Sequence, residues 1–233
     1  MLELDGLVMR AGDFTLRAEM TLQPRSRVAV VGPSGAGKST LLDAIAGFRR
    51  PEAGRILWQG RDITADAPGT RPVASLFQDQ NLFPHLSLAR NLGLALRPGG
   101  GRVSAHENQQ IEEALAEVGL AGFGARKPAE LSGGQASRAA LARVLLQNRP
   151  VILLDEPFAA LGPALKAEML SRVAELADKL GALALMVSHD PADARRFASQ
   201  TVLVADGVAE PPRETEALFS DPPDSLRAYL GQA

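Results

Sequence analysis

A glycine-rich stretch of nine residues limits what this chain can fold into more than any other part of its sequence. It follows an apolar, β-branched run at residues 28–31 and leads into a segment with helical spacing that ends at Gly47. The pattern G-x-x-x-x-G-K-[ST] binds phosphate when it joins a strand to a helix in this way. The nine residues are Gly32, Pro33, Ser34, Gly35, Ala36, Gly37, Lys38, Ser39 and Thr40. We therefore expect a nucleotide-binding loop here.

The residue types in this loop suit phosphate chemistry. Glycines let the backbone curl so that successive N–H groups point inward at an anion. The helix that begins near Lys38 adds the positive end of its dipole. The ammonium of Lys38 would reach the β- and γ-phosphates, and the hydroxyl of Ser39 would hold Mg²⁺.

Composition excludes several classes of site. The chain has 233 residues, 45% of them hydrophobic, which is ample for a buried core. It contains no cysteine, so disulfides, thiolate metal sites and cysteine nucleophiles are excluded. The formal net charge of −2 gives no support to a nucleic-acid partner. The N-terminus lacks the pattern of a secretory signal, and no stretch has the ~18 apolar residues needed to span a bilayer. We expect no nucleic-acid partner, and contact with a membrane only through another protein.

The order of the segments predicts an α/β fold. Residues 1–31 have partial period-2 alternation and turn signals, which indicates β structure. Later strands alternate with helices, which favours a mostly parallel sheet with helices on both faces. Residues 84–148 are helical between β segments, and we expect them to form an inserted subdomain of a single domain, 1–233. Ser104 and Glu107 have the spacing of a capping box.

An acidic pair follows a second buried strand, at Asp155 and Glu156. An acid at the end of such a strand can complete the Mg²⁺ shell, and a second acid can orient or deprotonate an attacking water. We assign Asp155 to the metal and Glu156 to the water. The phosphate-binding loop upstream makes this interpretation stronger than that of a solvated carboxylate pair.

A second glycine-rich segment, Leu131-Ser132-Gly133-Gly134-Gln135, precedes a helix. Taken alone, it is a helix start with Ser132 as the cap. The hydroxyl and the glycine N–H groups at a helix N-terminus also form an anion site. One chain then has two phosphate-binding elements and one nucleotide core. A head-to-tail dimer, in which each chain's second element closes on the partner's nucleotide, accounts for both.

These motifs together resemble the ATP-binding cassette (ABC) transporter ATPases over nearly the whole chain. Residues 32–40 match the family's Walker A loop, Val151–Asp155 its Walker B strand, and residues 131–135 its signature sequence. The resemblance places Gln78 at the Q-loop, where the family's glutamine contacts the metal and the attacking water and senses the membrane subunit. It places His189 as the switch histidine, which contacts the γ-phosphate. The implied activity is ATP hydrolysis with Mg²⁺, coupled to transport.

A narrower resemblance is to the ATPases of bacterial thiamine import systems. It lies in short segments such as residues 71–73, 91–94, 163–165 and 204–207. It implies a homodimer at the cytoplasmic face of the inner membrane, bound to integral permease subunits and served by a periplasmic solute-binding protein. We expect no C-terminal regulatory barrel of the kind that many importer ATPases carry. Near the expected permease contact, the residues Leu82, Phe83, Leu86 and Leu88 could face a partner or the core.

The sequence departs from the family at two places and leaves alternatives open. Gly162 stands where the family usually has an acid that couples the two sites, so we expect weaker or different coupling. Either Arg10 or Phe14 could stack on adenine.

The solute could instead be a polyamine, iron or molybdate. A soluble ABC ATPase is a further alternative, but such proteins usually carry coiled coils or a second cassette. A P-loop kinase would leave residues 131–135 unexplained. A cassette that binds ATP without hydrolysing it is opposed by the presence of Glu156 and His189.

Overall fold

The computed structural model describes residues 1–77 and 82–230, and within them eleven strands form one sheet. The sheet order is β5-β4-β1-β2-β10-β9-β3-β8-β7-β6, and β11 also pairs with β9. The strands are β1 (Leu2–Ala11), β2 (Phe14–Leu22), β3 (Arg27–Val31), β4 (Ala53–Trp58), β5 (Arg61–Asp62), β6 (Val73–Leu76), β7 (Val151–Asp155), β8 (Leu183–Val187), β9 (Gln200–Ala205), β10 (Val208–Ala209) and β11 (Arg213–Glu214).

Eight α-helices accompany these strands in the described part of the chain, together with two single 3₁₀ turns. The helices are α1 (Lys38–Ala46), α2 (Leu88–Leu96), α3 (Ala105–Glu117), α4 (Gly133–Leu146), α5 (Pro163–Leu180), α6 (Pro191–Phe197), α7 (Thr215–Ser220) and α8 (Asp224–Leu230). Helices α2, α3 and α4 lie between β6 and β7. The predicted capping box opens α3: Ser104 Oγ accepts from the N–H of Glu107, and the Glu107 carboxylate accepts from the N–H of Ser104.

The amino-terminal part of the sheet is antiparallel. Strand β1 lies between β2 and β4, with Leu4 opposite Met20 on one side and Ile56 on the other. Alternate residues of β2 are buried, as the period-2 pattern predicts. Strand β4 begins at Ala53, which pairs with Val8 of β1.

The rest of the core is a parallel sheet in which β3 lies between β8 and β9, and β7 lies between β8 and β6. Alternate residues of β3 enter two different hydrophobic clusters. Val28 and Val30 pack with the amino-terminal strands and α1, whereas Ala29 and Val31 pack with the helices that follow β6. The run at residues 28–31 is continuously apolar because both faces of β3 are covered.

The predicted fold class is confirmed: an antiparallel amino-terminal region joins a parallel core covered by helices. The consequence for the site is geometric. Parallel strands end at one edge of a sheet, so the segments that follow β3, β6, β7 and β8 leave from the same edge.

Candidate functional site

The phosphate-binding loop leaves the carboxyl end of β3 and enters α1 at Lys38. A Cβ atom at Gly32 would overlap the backbone carbonyl of Val204, so no other residue fits there. Gly37, the N-cap of α1, has φ of 103° in the left-handed region, which glycine adopts without strain. These two glycines hold the loop close to β9 and turn it into the helix.

Phe14 supports the loop from within the chain. A Cβ atom at Gly37 would lie 2.8 Å from Cζ of the Phe14 ring, which packs against the core cluster that contains α1. Arg10 forms an ion pair with Glu52, with 3.1 Å between Nε and Oε2. Both residues that could stack on adenine therefore have partners inside the chain.

The ammonium of Lys38 is folded into the loop itself. Its Nζ donates to the carbonyl of Gly32 at 2.7 Å and to that of Pro33 at 2.8 Å. Burial lowers the pKa of Lys38, while the carboxylates of Glu156 and Asp155 act in the opposite direction. The loop thus holds a largely buried cation near two acids, at the place where we expect phosphate.

Asp155 ends β7 and hydrogen-bonds to the side chain of Ser39. Burial raises the pKa of Asp155, and the nearby Glu156 adds to the rise; the Ser39 hydrogen bond and Lys38 lower it. A hydroxyl and a carboxylate in contact are oxygen donors of the kind that Mg²⁺ prefers. Two of the three residues predicted to hold the metal, Ser39 and Asp155, are therefore together, and their chemistry fits it.

Glu156 and His189 meet at the same edge. Strands β7 and β8 are parallel with Asp155 opposite Val187, so the residues after each strand are neighbours. Nδ1 of His189 lies 3.3 Å from Oε2 of Glu156. Glu156 has a positive φ of 45°, and its N–H donates to the carbonyl of Val187. This turn directs the Glu156 side chain toward the histidine.

The segment at residues 132–135 starts α4 with a reciprocal cap. Ser132 Oγ accepts from the N–H of Gln135 at 3.3 Å, and Oε1 of Gln135 accepts from the N–H of Ser132 at 3.0 Å. A Cβ atom at Gly134 would lie 2.5 Å from Cδ2 of Leu161, and one at Gly133 would lie 3.9 Å from Cβ of Ala160. Within one chain the segment thus packs on the turn after β7, while Ser132 and Gly133 stay exposed.

Gln78, predicted for the metal and the attacking water, lies outside the described residues. The strand before it is clear: β6 pairs in parallel with β7, with Leu76 opposite Leu154. The structure therefore brings together Lys38, Ser39, Asp155, Glu156 and His189, and it sets residues 132–135 against residues 160 and 161.

Sequence reasoning missed a polar network beside His189. Nζ of Lys166 on α5 lies 2.6 Å from Oδ2 of Asp193, and the hydroxyl of Ser188 donates to the same oxygen at 2.6 Å. Burial lowers the pKa of Lys166, but the hydrogen bonds and charges of Asp193 and Asp190 together outweigh it and raise that pKa overall. No local pattern signals this network, because Lys166 and Asp193 lie on different helices. It ties α5 to the segment that carries His189.

A second missed residue, Arg71, fixes the far end of α1. Its side chain is 1% exposed, and its Nη1 donates to the carbonyls of Ala44 and Ile45 at 2.7 and 2.8 Å. Its Nη2 and Nε donate to the carbonyls of Thr64 and Asp66. These bonds satisfy orphan carbonyls at the helix C-terminus. Arg71 therefore locks the helix that begins at the phosphate-binding loop.

Comparisons with known proteins identify the family to which these site residues point. The sequence pattern of the family described as ABC transporter matches residues 16–159. The thiamine import ATP-binding protein ThiQ of Cereibacter sphaeroides is 64% identical over 231 residues, 99% of this chain and 100% of the relative. The protein of the same name from Ruegeria sp. (strain TM1040) is 58% identical over 231 residues, with the same coverage.

A solved structure gives the same result for the fold. The ATP-binding cassette MJ0796, in a dimeric post-hydrolysis state bound to ADP and Pi, superposes with a TM-score of 0.81 at 28% identity. The superposition covers 92% of this chain and 99% of that chain. The predicted resemblance is confirmed, and the chain belongs to the ABC transporter family.

Proposed function

We propose that this chain is the ATP-hydrolysing subunit of a thiamine importer. The observation that carries the proposal is the assembly of the loop, Ser39, Asp155, Glu156 and His189 at one edge of the parallel sheet. The solute comes from the relatives, whose names state that they are thiamine import ATP-binding proteins.

The phosphates of ATP would lie in the loop at residues 32–40. Lys38 would exchange its bonds to the Gly32 and Pro33 carbonyls for phosphate oxygens, which are stronger acceptors for an ammonium. Ser39 and Asp155 would hold Mg²⁺, with Gln78 as the third predicted ligand. When bound, Mg²⁺ neutralises part of the phosphate charge. In the described part of the chain no three His, Cys, Asp or Glu residues cluster as a metal site, which suits an ion held mainly by phosphate and water.

Glu156 would orient the attacking water and accept its proton. A carboxylate near the γ-phosphate position is suited to this role because it accepts a hydrogen bond from the nucleophile. His189, whose ring contacts Glu156, would donate to the γ-phosphate. Lys38 would stabilise the charge that develops on the transferred group.

The second anion site would act across a dimer. Ser132 and Gly133 are exposed at the start of α4, where they can face a second copy. Ser132, Gly133, Gly134 and Gln135 of one copy would close on the ATP held by the other. MJ0796 is itself dimeric with ADP and Pi bound. Opening and closing of the two copies would be the mechanical output.

A groove between α1 and α2 is the place where we expect the permease. It has a volume of about 410 Å³, and Phe48, Phe77 and Leu94 are among its lining residues. Phe48 is 59% exposed and contacts Phe77 edge to face, with ring centroids 5.1 Å apart. Of the four apolar residues named from the sequence, Leu88 belongs to the core, Phe83 is exposed, and Leu82 and Leu86 are partly buried. The expected occupant is a short helix of the permease.

The membrane association would be indirect. In the described part of the chain, no helix has the length and apolar character needed to cross a bilayer. We propose a peripheral position at the cytoplasmic face of the inner membrane, with the permease as the contact and a periplasmic binding protein as the source of solute.

Uptake of radiolabelled thiamine tests the proposal. Cells from which the gene has been deleted should lose high-affinity uptake, the wild-type chain should restore it, and Glu156→Gln should not. Uptake of a polyamine, measured in the same cells, is the control for solute identity. Unchanged thiamine uptake in the deleted cells would overturn the proposal.

Capture of the partner provides an independent test. A tagged Glu156→Gln variant, loaded with ATP and recovered from detergent-solubilised native membranes, should bring a multispanning permease with it. Recovery of soluble proteins alone would favour a soluble ATPase outside transport.

A further inference from the structure

The turn that carries His189 is held by hydrogen bonds of its backbone and of the side chains on either side of the histidine. Residues 188–190, which we call the switch segment, join β8 to α6. The His189 side chain is 59% exposed, so packing alone does not fix its ring. The N–H of Ser188 donates to the carbonyl of Val30, and the N–H of Asp190 donates to Ser188 Oγ at 3.1 Å. The position of the ring must therefore follow the position of these peptide groups.

A residue far along the chain adds a further bond to this segment. The phenol of Tyr229, on α8, donates to the backbone carbonyl of His189 at 2.5 Å. The two residues are separated by forty positions, and Tyr229 is the single tyrosine of the sequence. The bond connects the last described helix to the residue predicted to contact the γ-phosphate.

Helix α8 can act as a firm support for this bond. Leu226, three positions before Tyr229, is fully buried in the cluster formed by α5 and the helices after β6. Tyr229 and Leu230 pack against the same cluster. The phenol therefore projects from an element that is anchored on both sides of it.

The phenol keeps its proton at the pH of ATP hydrolysis. Burial raises the pKa of Tyr229, and the negative charges of Glu156 and Asp190 raise it further. A neutral phenol is a hydrogen-bond donor, whereas a phenolate would repel the carbonyl oxygen. The phenol of Tyr229 therefore remains a donor to the carbonyl of His189.

We propose that Tyr229 is a positioning residue for ATP hydrolysis: by holding the peptide group of His189, it sets the place of the imidazole next to Glu156. The inference rests on the proposed function of the same site. Tyr229 does not touch the reacting atoms, and it acts through the backbone of the switch segment. Its loss should slow the chemical step and leave nucleotide binding unchanged, because the phosphate-binding loop lies on other elements.

The test is Tyr229→Phe, which removes one hydroxyl and keeps the packed ring. We expect kcat for ATP hydrolysis to fall by about threefold to tenfold, as for the loss of one oriented hydrogen bond. KM for ATP should stay within about twofold. Arg227→Ala is the matched control, because Arg227 lies on the same helix and its ion pairs with Asp221 and Asp224 are on the surface. It should keep the wild-type kcat.

Histidine NMR separates positioning from general loosening. The chain has three histidines, of which His85 lies in the segment before α2 and His106 in α3, both outside the switch segment and α8. In Tyr229→Phe the ring signals of His189 should shift, and those of His85 and His106 should not. An unchanged kcat or an unmoved His189 signal would overturn the inference, as would a loss of kcat that Arg227→Ala reproduces. Absence of hydrolysis by the wild-type chain would instead overturn the proposed function.

Discussion

Nδ1 of His189 lies 3.3 Å from Oε2 of Glu156, although 33 positions separate them in the sequence. Their meeting follows from one register: Asp155 in β7 is opposite Val187 in β8. Because the strands are parallel, the turns after them leave the sheet side by side. The pair is therefore a product of the sheet, and any chemistry that needs both side chains depends on that register.

We expect His189→Ala to reduce kcat for ATP hydrolysis by roughly 100-fold, the cost typical of one donor that stabilises transition-state charge. KM for ATP should change little, since the phosphate-binding loop is intact. Steady-state phosphate release measures both constants. His106→Ala, an exposed histidine at the start of α3, is the control. A His189→Ala variant with the wild-type kcat would remove His189 from the mechanism.

The second prediction concerns pH and stability at Asp155. Burial raises its pKa above the ordinary value of 3.8, so the folded chain carries a disfavoured carboxylate near neutral pH. Below pH 3.8 both folded and unfolded chains are protonated there, and the penalty vanishes. We expect Asp155→Asn to raise the melting temperature at pH 7 by roughly 2 °C, to lose this gain as the pH falls toward 3.8, and to abolish hydrolysis. A gain in melting temperature that is equal at every pH would contradict an electrostatic origin of the stabilisation in Asp155→Asn.

Arg71→Met should destabilise the fold strongly. The substitution leaves the carbonyls of Ala44, Ile45 and Thr64 without their buried donor, and each such loss costs about 1–3 kcal/mol. We expect the free energy of unfolding in urea to fall by about 3 kcal/mol or more. Arg61→Met is the matched control: Arg61 is 70% exposed, and its ion pair with Asp66 is worth at most about 1 kcal/mol. Equal effects of the two substitutions would show that burial of Arg71 is unimportant.

Substitution of Gly162 tests whether the departure from the family at this position matters. It is the N-cap of α5 with φ of −66° and no side-chain cap bond, and a Cβ atom there would meet nothing within 4 Å. Gly162→Asp can therefore cap α5 without strain, and we expect a gain of about 0.5 kcal/mol. If the missing acid weakens coupling between two sites, the variant should also change the rate or the cooperativity of hydrolysis. Gly162→Ala, which adds no acceptor, should do neither. Unchanged kinetics in Gly162→Asp would refute the coupling hypothesis.

Features of the fold and the site that depend on residues close together in the sequence could be predicted, and those that depend on distant residues could not. The buried run of β3, the glycine loop and the capping box at Ser104 and Glu107 are local patterns, and the structure has each of them. The roles of Arg71 and Tyr229 could not be predicted: Arg71 reaches the helix carbonyls of Ala44 and Ile45, 26–27 positions away, and Tyr229 reaches a carbonyl 40 positions away. A carbonyl carries no signature in sequence. The exposed Phe48 likewise has the same apolar character as a core residue.

The most direct test of the account is phosphate release by the wild-type chain and by Glu156→Gln at saturating Mg²⁺-ATP. Glutamine has nearly the same shape but cannot accept a proton, so it isolates the proposed role of the carboxylate. We expect the wild-type chain to turn over, and the variant to bind ATP with similar affinity, to form a dimer and to release phosphate at least about 100-fold more slowly. A Glu156→Gln variant that hydrolyses ATP at the wild-type rate would contradict the account.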